Sequence, residues 1–322
     1  MLIQRIITGS LLAALIALAV FQLSSTYFSL LLGLVTLLAA WEWCNLSGLD
    51  TTKQRSIFFV SLIFPMLWIH FWSQFLELGA QSLELIVQAI YQWAKGADFI
   101  TISSFLDGWD IPDVRVFSGF LEWLVIPPVV FWVIVMLMIR NTPSGILALE
   151  LKTKHKAWIG GFILLTTWMF LSRLRTLYGP ELVMYFLVLI WSGDITAYFV
   201  GRKFGTTKLS PEISPGKTVA GFYGALIAGA LSAVALNLIW WVYYDKLPSM
   251  MIASDFLLLS VLTVLISIYG DLFISVAKRQ RGIKDTGSLL PGHGGILDRV
   301  DSILAGAPLF YAGIYLIYRQ VS

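Results

Sequence analysis

The stretch FLLLSVLTVLISIYGDLFISVA, residues 256–277, is long and apolar enough to cross a bilayer, and KRQRGIKDTGSLLPGHGGILDRVDS, residues 278–302, follows it directly. Residues 275–302 contain five of the 22 basic side chains of the chain, three carboxylates and one of its three histidines. Asp271 lies inside the apolar stretch, where a carboxylate costs about 2.5–3.5 kcal/mol on insertion scales and is by default a functional candidate. The stretch therefore predicts a membrane-spanning helix that ends in a charged site at the membrane surface.

The composition of the whole chain supports a membrane protein. Of its 322 residues, 58% are hydrophobic and 13% are charged, and the mean hydropathy is +0.80. Repeated long apolar runs indicate an all-α polytopic integral membrane protein without a separate soluble domain. The first run is interpreted as a retained helix, because it lacks a polar, small-residue cleavage site. About nine transmembrane helices are predicted, at residues 6–23, 27–45, 56–75, 119–139, 157–172, 178–200, 219–244, 255–277 and 301–318.

The chain is predicted to form a single membrane domain, residues 1–322. Residues 1–175 supply N-terminal helices, and residues 176–322 supply the catalytic helices and loops. Residues 76–118 form a less typical insertion on the extracytoplasmic side. Within it, residues 83–93 are apolar on one face and too short to span, which suits an interfacial amphipathic helix.

The basic residues predict the orientation in the membrane. Sixteen of the 22 lie on the same predicted side of the membrane as the N-terminus, and six lie on the opposite side. The positive-inside rule therefore places the N-terminus and the active-site loops in the cytoplasm. Nine of the 16 belong to loops 201–218 and 278–299, which are themselves the proposed catalytic loops. The firmer inference is that these two loops, separated by two spans, lie on the same face and can meet.

The first charged segment begins at the end of the eighth predicted span. Asp271, Ser275 and Lys278 fall at i, i+4 and i+7, so they share one helix face. Glycines and prolines then break the helix and leave backbone N–H groups free to approach an anion. These residues are Gly282, Gly287, Pro291, Gly292, Gly294 and Gly295.

Three carboxylates of this segment are the predicted metal ligands: Asp271, Asp298 and Asp301. Oxygen ligands without thiolates or paired imidazoles suit Mg²⁺ or Mn²⁺ better than zinc, and the number of ions, one or two, stays open. A plainer interpretation of Asp298 is a helix N-cap. That interpretation leaves Asp271 and the glycines unexplained.

The basic side chains carry more positive charge than three aspartates neutralise, and the excess positive charge indicates a polyphosphate ligand. A basic loop attracted to anionic lipid is the plainer alternative. His293 is a candidate hydrogen-bond donor to phosphate, or a proton carrier. The candidate catalytic residues of the segment are Lys278, Arg279, Lys284, Asp285, His293 and Arg299.

A second charged segment follows the sixth predicted span. A turn before the seventh helix carries hydroxyls and a lysine, and a helix start of this kind is a ready anion site. It is not a Walker A loop, because the first glycine of that motif would stand at Pro211. The candidate substrate-binding residues are Asp194, Tyr198, Arg202, Lys208, Ser214, Lys217 and Thr218, together with Ser275 of the first segment.

Residues 275–301 closely resemble the signature of the phosphatidate cytidylyltransferase (CDP-diacylglycerol synthase) family, bacterial type. The matching positions are Ser275, Lys278–Arg279, Lys284–Asp285, Gly287, His293–Gly294–Gly295, Asp298–Arg299 and Asp301. Further matches are Asp194, Tyr198, Gly201 and Gly205 with the turn at 214–218, and Arg5 with residues 40–48. The resemblance covers nearly the whole chain, with residues 76–118 the least similar.

Two positions depart from the family pattern. Val219–Ala220–Gly221 stands where the family usually has an aromatic residue, then Glu or Gln, then Gly. Ala277 replaces a bulkier apolar residue. The first departure removes a polar side chain beside the presumed nucleotide loop, which keeps open a diverged paralogue that acts on another lipid phosphate.

The resemblance implies that CTP and phosphatidate give CDP-diacylglycerol and pyrophosphate in a Mg²⁺-dependent step of phospholipid biosynthesis. It also implies the bacterial cytoplasmic (inner) membrane as location, no nucleic acid as partner, and a homodimer as a reasonable assembly. Two other classes of protein are alternatives. A membrane transporter would use Asp194 and Asp271 as an ion path, but the sequence has no repeated pair of interrupted helices. A CDP-alcohol phosphotransferase would need an aspartate-rich motif that this sequence lacks.

Overall fold

The structure is a computed structural model that describes residues 2–94, 120–245, 248–289 and 294–321. It confirms the all-α prediction, since the regular structure is helical apart from two short strands. The helices are α1 (Leu2–Gln22), α2 (Ser25–Ser47), α3 (Thr52–His70), α4 (Trp72–Ala94), α5 (Phe120–Trp123), α6 (Ile126–Asn141), α7 (Pro143–Ala148), α8 (Thr153–Tyr178), α9 (Pro180–Phe204), α10 (Val219–Tyr244), α11 (Met250–Gln280) and α12 (Leu297–Val321). The strands are β1 (Lys208–Ser210) and β2 (Ser214–Thr218).

The described residues contain fewer candidate membrane spans than the nine that the sequence predicts. In the described residues, seven helices are long and apolar enough to cross a membrane, and an eighth span results if the bent pair Thr52–His70 and Gln74–Leu83 counts as one. Within α1, the apolar helix Gly9–Gln22 is shorter than a span. A multi-pass membrane protein is therefore confirmed, while the count of nine stays a prediction.

The chain consists of two compact units. One comprises Met1–Leu62 and Val125–Ser322, and the other comprises Ile63–Leu124. In the second unit, the interfacial helix predicted at residues 83–93 is part of the longer helix α4. Residues 95–119, which hold most of the predicted insertion, lie outside the described residues. All the described residues of the candidate site belong to the first unit.

The segment 208–218 forms a β-hairpin. In this antiparallel pair Lys208 lies opposite Thr218, and Ser210 lies opposite Ser214. The sequence predicted a turn at 214–218; this was wrong, because these residues pair with β1 and the chain reverses before them. Thr218 ends the hairpin in an extended conformation, and its Oγ1 accepts a hydrogen bond from Gly221 N at 3.1 Å, which caps α10. The hairpin is thus joined to α10 without a loose linker.

Aromatic side chains fill the core between α8, α9 and α12. The ring centroids of Phe170 and Tyr311 are 5.0 Å apart, and those of Phe186 and Phe310 are 5.2 Å apart. All four side chains are fully buried. Pairs of this kind contribute about 0.5–1.5 kcal/mol beyond their area burial. This packing sets the relative positions of α9 and α12, which carry Asp194 and Asp301.

Helices α2 and α8 approach closely at a second contact. Trp43 Nε1 donates to the Lys156 carbonyl oxygen at 2.9 Å. The indole ring occupies the space that a Cβ atom would need at Gly160. Gly160 therefore permits the approach that holds α2, and with it Glu42, against the rest of the unit.

Candidate active site

An ion pair joins the hairpin to helix α11. Lys217 Nζ lies 2.7 Å from Asp271 Oδ2 and donates to the Ile268 carbonyl oxygen at 3.3 Å. Ser275 Oγ lies 3.4 Å from Asp271 Oδ1, one helical turn further along α11. The two charged segments that the sequence singled out are thus in direct contact. Lys217 of the second segment forms an ion pair with Asp271 of the first.

Two more carboxylates lie close to this pair. Asp194 of α9 is hydrogen-bonded to the side chain of Ser302 and interacts electrostatically with Lys217 and Asp271. Asp301 of α12 accepts a hydrogen bond from Ser302 N at 2.8 Å and interacts with the same two residues and with Asp194. We call Asp194, Asp271 and Asp301 the carboxylate cluster. It brings together acidic side chains from three helices around one ammonium group.

Asp298 belongs to a different network. Its Oδ1 accepts from Lys278 Nζ at 2.6 Å, and its Oδ2 accepts from Thr286 N, Thr286 Oγ1 and Gly295 N at 2.8, 2.9 and 3.1 Å. The side chains of Lys278 and Asp298 are only 13% and 9% exposed. The carboxylate is therefore well supplied with hydrogen-bond donors, and it fastens the glycine-rich loop to the start of α12.

The predicted metal ligands are consequently divided between two networks. Asp271 and Asp301 lie in the carboxylate cluster with Asp194, whereas Asp298 faces Lys278. Within the described ranges, no three His, Cys, Asp or Glu side chains are close enough together to share a metal ion. The metal assignment stays a prediction, and the arrangement favours Asp194 over Asp298 as the companion of the other two.

The remaining predicted residues make other contacts or are exposed. Arg279 Nε donates to the Ile213 carbonyl oxygen of the hairpin at 3.2 Å, which is a second link between the two segments. Arg202 Nη1 lies 3.4 Å from the hydroxyl of Tyr198, which is largely exposed.

Thr218 caps α10, so its hydroxyl is already engaged. Lys208, Lys284, Asp285 and Arg299 are exposed, and Ser214 is half-buried. His293 lies outside the described residues.

Glu42 is a functional candidate that the sequence reasoning missed. Its carboxylate, on α2, accepts hydrogen bonds from Thr286 Oγ1, Ile296 N and Leu297 N at 2.8, 2.9 and 2.8 Å. The residue entered the sequence analysis only within the stretch 40–48 that resembles bacterial relatives. The signal that identified Asp271, a carboxylate inside an apolar span, applies equally to Glu42 and would have found it.

An apolar cavity lies on the other face of α11. Its volume is ≈ 160 Å³, and its wall includes Trp43, Phe131 and Phe273, with Lys156 and Gln280 as its polar members. Phe273 and Gln280 point away from the face of α11 that carries Asp271, Ser275 and Lys278. The cavity is therefore separate from the carboxylate cluster.

The fold and the site together define a multi-pass membrane protein with clustered acidic and basic groups at the ends of its helices. The sequence model described as the cytidylyltransferase family matches residues 3–317. This chain belongs to that family.

Individual relatives agree with this assignment. A phosphatidate cytidylyltransferase of Haemophilus influenzae is 32% identical over 96% of this chain and 97% of its own length. One of Pseudomonas aeruginosa is 31% identical over 97% and 96%, respectively. One of Bacillus subtilis is 42% identical over 42% of this chain and 47% of its own length. The chain is accordingly an enzyme of the nucleotidyltransferase class, as the sequence resemblance implied.

Proposed function

We propose that the protein transfers the cytidylyl group of CTP to phosphatidate, which yields CDP-diacylglycerol and pyrophosphate. The observation that carries the proposal is the similarity, over 96–97% of both chains, to proteins named phosphatidate cytidylyltransferase. The site supports it, because ammonium groups and carboxylates meet where membrane helices end. A water-soluble nucleotide can reach such a site while the acyl chains of the lipid stay in the bilayer.

The reaction needs alignment more than proton transfer. A phosphate oxygen of the lipid attacks the α-phosphorus of CTP and forms a new P–O bond. The bond from that phosphorus to the oxygen that bridges to the β-phosphate breaks, and pyrophosphate leaves with the electron pair. The attacking oxygen is already anionic, so no strong general base is required. The protein must hold the crowded phosphates in line and neutralise their charge.

The lysines of the site are placed for that task. Lys217 enters from the hairpin and would hold phosphate oxygens of CTP next to Asp271. Lys278 would do so next to Asp298, with Arg299 and Lys284 nearby in sequence on the loop and the start of α12. Because Lys217 and Lys278 are each paired with a carboxylate, their ammonium groups are fixed in position before substrate binds. Such preorganised charges cost little reorganisation during the reaction.

The carboxylate cluster fits a divalent cation by its chemistry. Its donors are all oxygen, which suits Mg²⁺. When ionised, its three carboxylates and the ammonium of Lys217 sum to two negative charges, which one divalent ion balances. We therefore assign Mg²⁺ to the cluster of Asp194, Asp271 and Asp301. Because no three such side chains in the described ranges lie close enough to share one ion, two of these carboxylates would hold it together with substrate phosphates, as is usual for Mg²⁺. When bound, the ion would supply positive charge to the phosphates.

The decisive experiment uses the purified full-length protein in detergent with phosphatidate, radiolabelled CTP and Mg²⁺. The expected result is stoichiometric formation of labelled lipid and pyrophosphate. A panel of other lipid phosphates tests the paralogue alternative that the Val219–Ala220 departure keeps open. Uptake of solutes into vesicles without formation of lipid product would instead support a transporter and contradict the proposal.

The proposed topology places the N-terminus and the site on the cytoplasmic face of the bacterial inner membrane. The chain has a single cysteine, Cys44, which is buried. A Lys284→Cys variant therefore introduces one accessible thiol on the glycine-rich loop. Labelling of this thiol by a membrane-impermeant reagent is expected only after the cells are opened. Labelling in intact spheroplasts would contradict the orientation.

A further inference from the structure

Glu42 is a carboxylate from the N-terminal part of the chain that is buried against the glycine-rich loop. It is 4% exposed, and its hydrogen-bond partners stand more than 240 positions later in the sequence. Each of its oxygens is used: Oε1 accepts from Ile296 N, and Oε2 accepts from Leu297 N and Thr286 Oγ1. An ionised carboxylate is an acceptor only, so a side chain with three donors around it is matched to its surroundings.

These contacts hold the described residues on either side of positions 290–293. Thr286 lies before the glycines at 287 and 294–295, and Ile296 and Leu297 lie after them. Leu297 begins α12, and the first N–H groups of a helix have no partner within the helix. A negative charge at this position also interacts favourably with the helix dipole. Glu42 therefore caps α12 from another helix and holds Thr286 next to the start of that helix.

Thr286 connects Glu42 to Asp298. Its Oγ1 is 2.8 Å from Glu42 Oε2 and 2.9 Å from Asp298 Oδ2. A hydroxyl has one proton, so it donates to one of the two oxygens at a time. Each oxygen keeps a backbone donor meanwhile: Leu297 N for Glu42, and Thr286 N and Gly295 N for Asp298. The two carboxylates thus bind the same residues. Asp298 in turn accepts a hydrogen bond from Lys278, so the position of Lys278 depends on these contacts as well.

Two glycines of the loop, Gly287 and Gly295, are explained by the same contact. A Cβ atom at Gly287 or Gly295 would fall on the carboxylate of Glu42. The sequence analysis expected the backbone N–H groups of this loop to face an anion. Those of Ile296 and Leu297 do so, and the anion is a side chain of the protein.

We propose that Glu42 is a positioning residue for nucleotidyl transfer. It acts through other residues: its bonds to Thr286, Ile296 and Leu297 hold these residues in place, so that Asp298 and Lys278 keep the geometry that the reaction requires. The inference depends on the proposed function for the identity of the reaction. The stability of these contacts can be measured without turnover, so the two can fail separately.

The experiment compares wild type with Glu42→Gln, Glu42→Ala and the control Thr36→Val, in purified full-length protein. Thr36 is also a buried polar residue of α2, and its hydroxyl donates within that helix, to Leu32 O. Hydrogen–deuterium exchange is followed in the peptide that covers residues 286–297. We expect at least about tenfold faster exchange in Glu42→Ala, an intermediate rate in Glu42→Gln, which keeps one acceptor oxygen, and the wild-type rate in Thr36→Val.

Kinetics then separate positioning from a purely structural role. We expect kcat to fall by about tenfold or more in Glu42→Ala, because small misplacements of catalytic groups can cost up to about 100-fold. The KM for CTP should rise by a smaller factor than the one by which kcat falls, because Lys217 of the hairpin, which Glu42 does not contact, also holds CTP. Faster exchange with unchanged kcat per folded molecule would overturn the proposal, as would wild-type exchange in both Glu42 variants.

A third variant decides the matter if Glu42→Ala does not fold. Thr286→Val keeps the volume of the side chain and deletes only the hydroxyl link. We expect it to lower kcat, and we expect its effect to be non-additive with that of Glu42→Gln, since both act on one network. Additive effects would contradict the link. If the wild-type protein has no cytidylyltransferase activity, the proposed function fails, and the exchange rates alone decide whether Glu42 holds these residues in place.

Discussion

The ammonium of Lys217 lies 2.7 Å from a carboxylate oxygen of Asp271. One residue comes from a β-hairpin outside the helices and the other from the interior of α11, so this pair joins the two charged segments into one site. The neighbouring Asp194 and Asp301 interact electrostatically with the same ammonium. Substitutions at this pair and around it test the site directly.

Replacement of Lys217 by alanine should raise the KM for CTP by about tenfold or more, since a hydrogen bond to a charged group contributes about 1.5–3 kcal/mol. The measurement is steady-state kinetics at varied CTP and saturating phosphatidate. Lys203→Ala is the matched control, because Lys203 is an exposed lysine that lies over the ring of Phe204. Unaltered CTP kinetics in Lys217→Ala would mean that the hairpin is structural only.

Replacement of Asp298 by asparagine should abolish turnover while the protein stays folded in detergent. The asparagine amide keeps one acceptor, but its NH₂ group would face other donors and the ammonium of Lys278 would lose its counter-charge. Circular dichroism and size-exclusion chromatography check the fold, and lipid product formation checks activity.

Asp50→Asn serves as the control for Asp298→Asn, since Asp50 forms an exposed pair with Arg281 at 3.4 Å. Exposed pairs of this kind are worth about 0–1 kcal/mol, whereas breaking a buried pair costs about 3–5 kcal/mol. The melting temperature should therefore fall clearly in Asp298→Asn and little in Asp50→Asn. Near-normal turnover in Asp298→Asn would contradict a catalytic role for the Lys278–Asp298 pair.

Removal of divalent ions by EDTA should abolish turnover, and Mg²⁺ or Mn²⁺ should restore it. Asp194→Asn and Asp301→Asn should each raise the Mg²⁺ concentration for half-maximal activity by at least about tenfold, since even outer-sphere partners of a metal contribute 10–100-fold. Glu181→Gln, at the opposite end of α9 from Asp194, should leave the Mg²⁺ requirement unchanged. An equal Mg²⁺ requirement in all three variants would contradict the assignment of the carboxylate cluster.

Alanine at Gly160 should destabilise the protein, and alanine at Gly161 should not. A Cβ atom at 160 would overlap the indole of Trp43, whereas at 161 its nearest neighbour, Phe58 Cε2, is at the ordinary contact distance of 3.4 Å. Overpacking of this kind costs about 1–3 kcal/mol. The change at 161 gains helix propensity of up to about 1 kcal/mol instead. Melting temperatures in detergent test the pair, and equal values would contradict the close approach of α2 and α8.

Much of the fold follows from the sequence because the bilayer imposes a simple rule on it. Apolar runs near 20 residues in length must be helical to satisfy their backbone groups in hydrocarbon, so α2, α6 and α8–α12 are predictable. The hairpin at 208–218 is not predictable in this way. Its strands are short and polar, and only the pairing of Lys208 with Thr218 makes them regular.

The candidate site, too, was predictable only in part from the sequence. The sequence by itself determined which residues carry charge into an apolar environment, and the cost of such charges marked Asp194, Asp271 and the loop at 278–299 as functional. Helical periodicity also placed Asp271, Ser275 and Lys278 on one face. Periodicity describes one helix at a time, however, and does not say which helix packs against that face.

Only the tertiary structure decided the partners. It brought Asp194 to Asp271 and Asp301, turned Asp298 towards Lys278, and set Glu42 against the glycines of the loop. Each of these contacts joins side chains that lie on different elements of the chain. Such contacts depend on how whole helices pack, through close approaches such as Trp43 on Gly160, and no local pattern of residues encodes them.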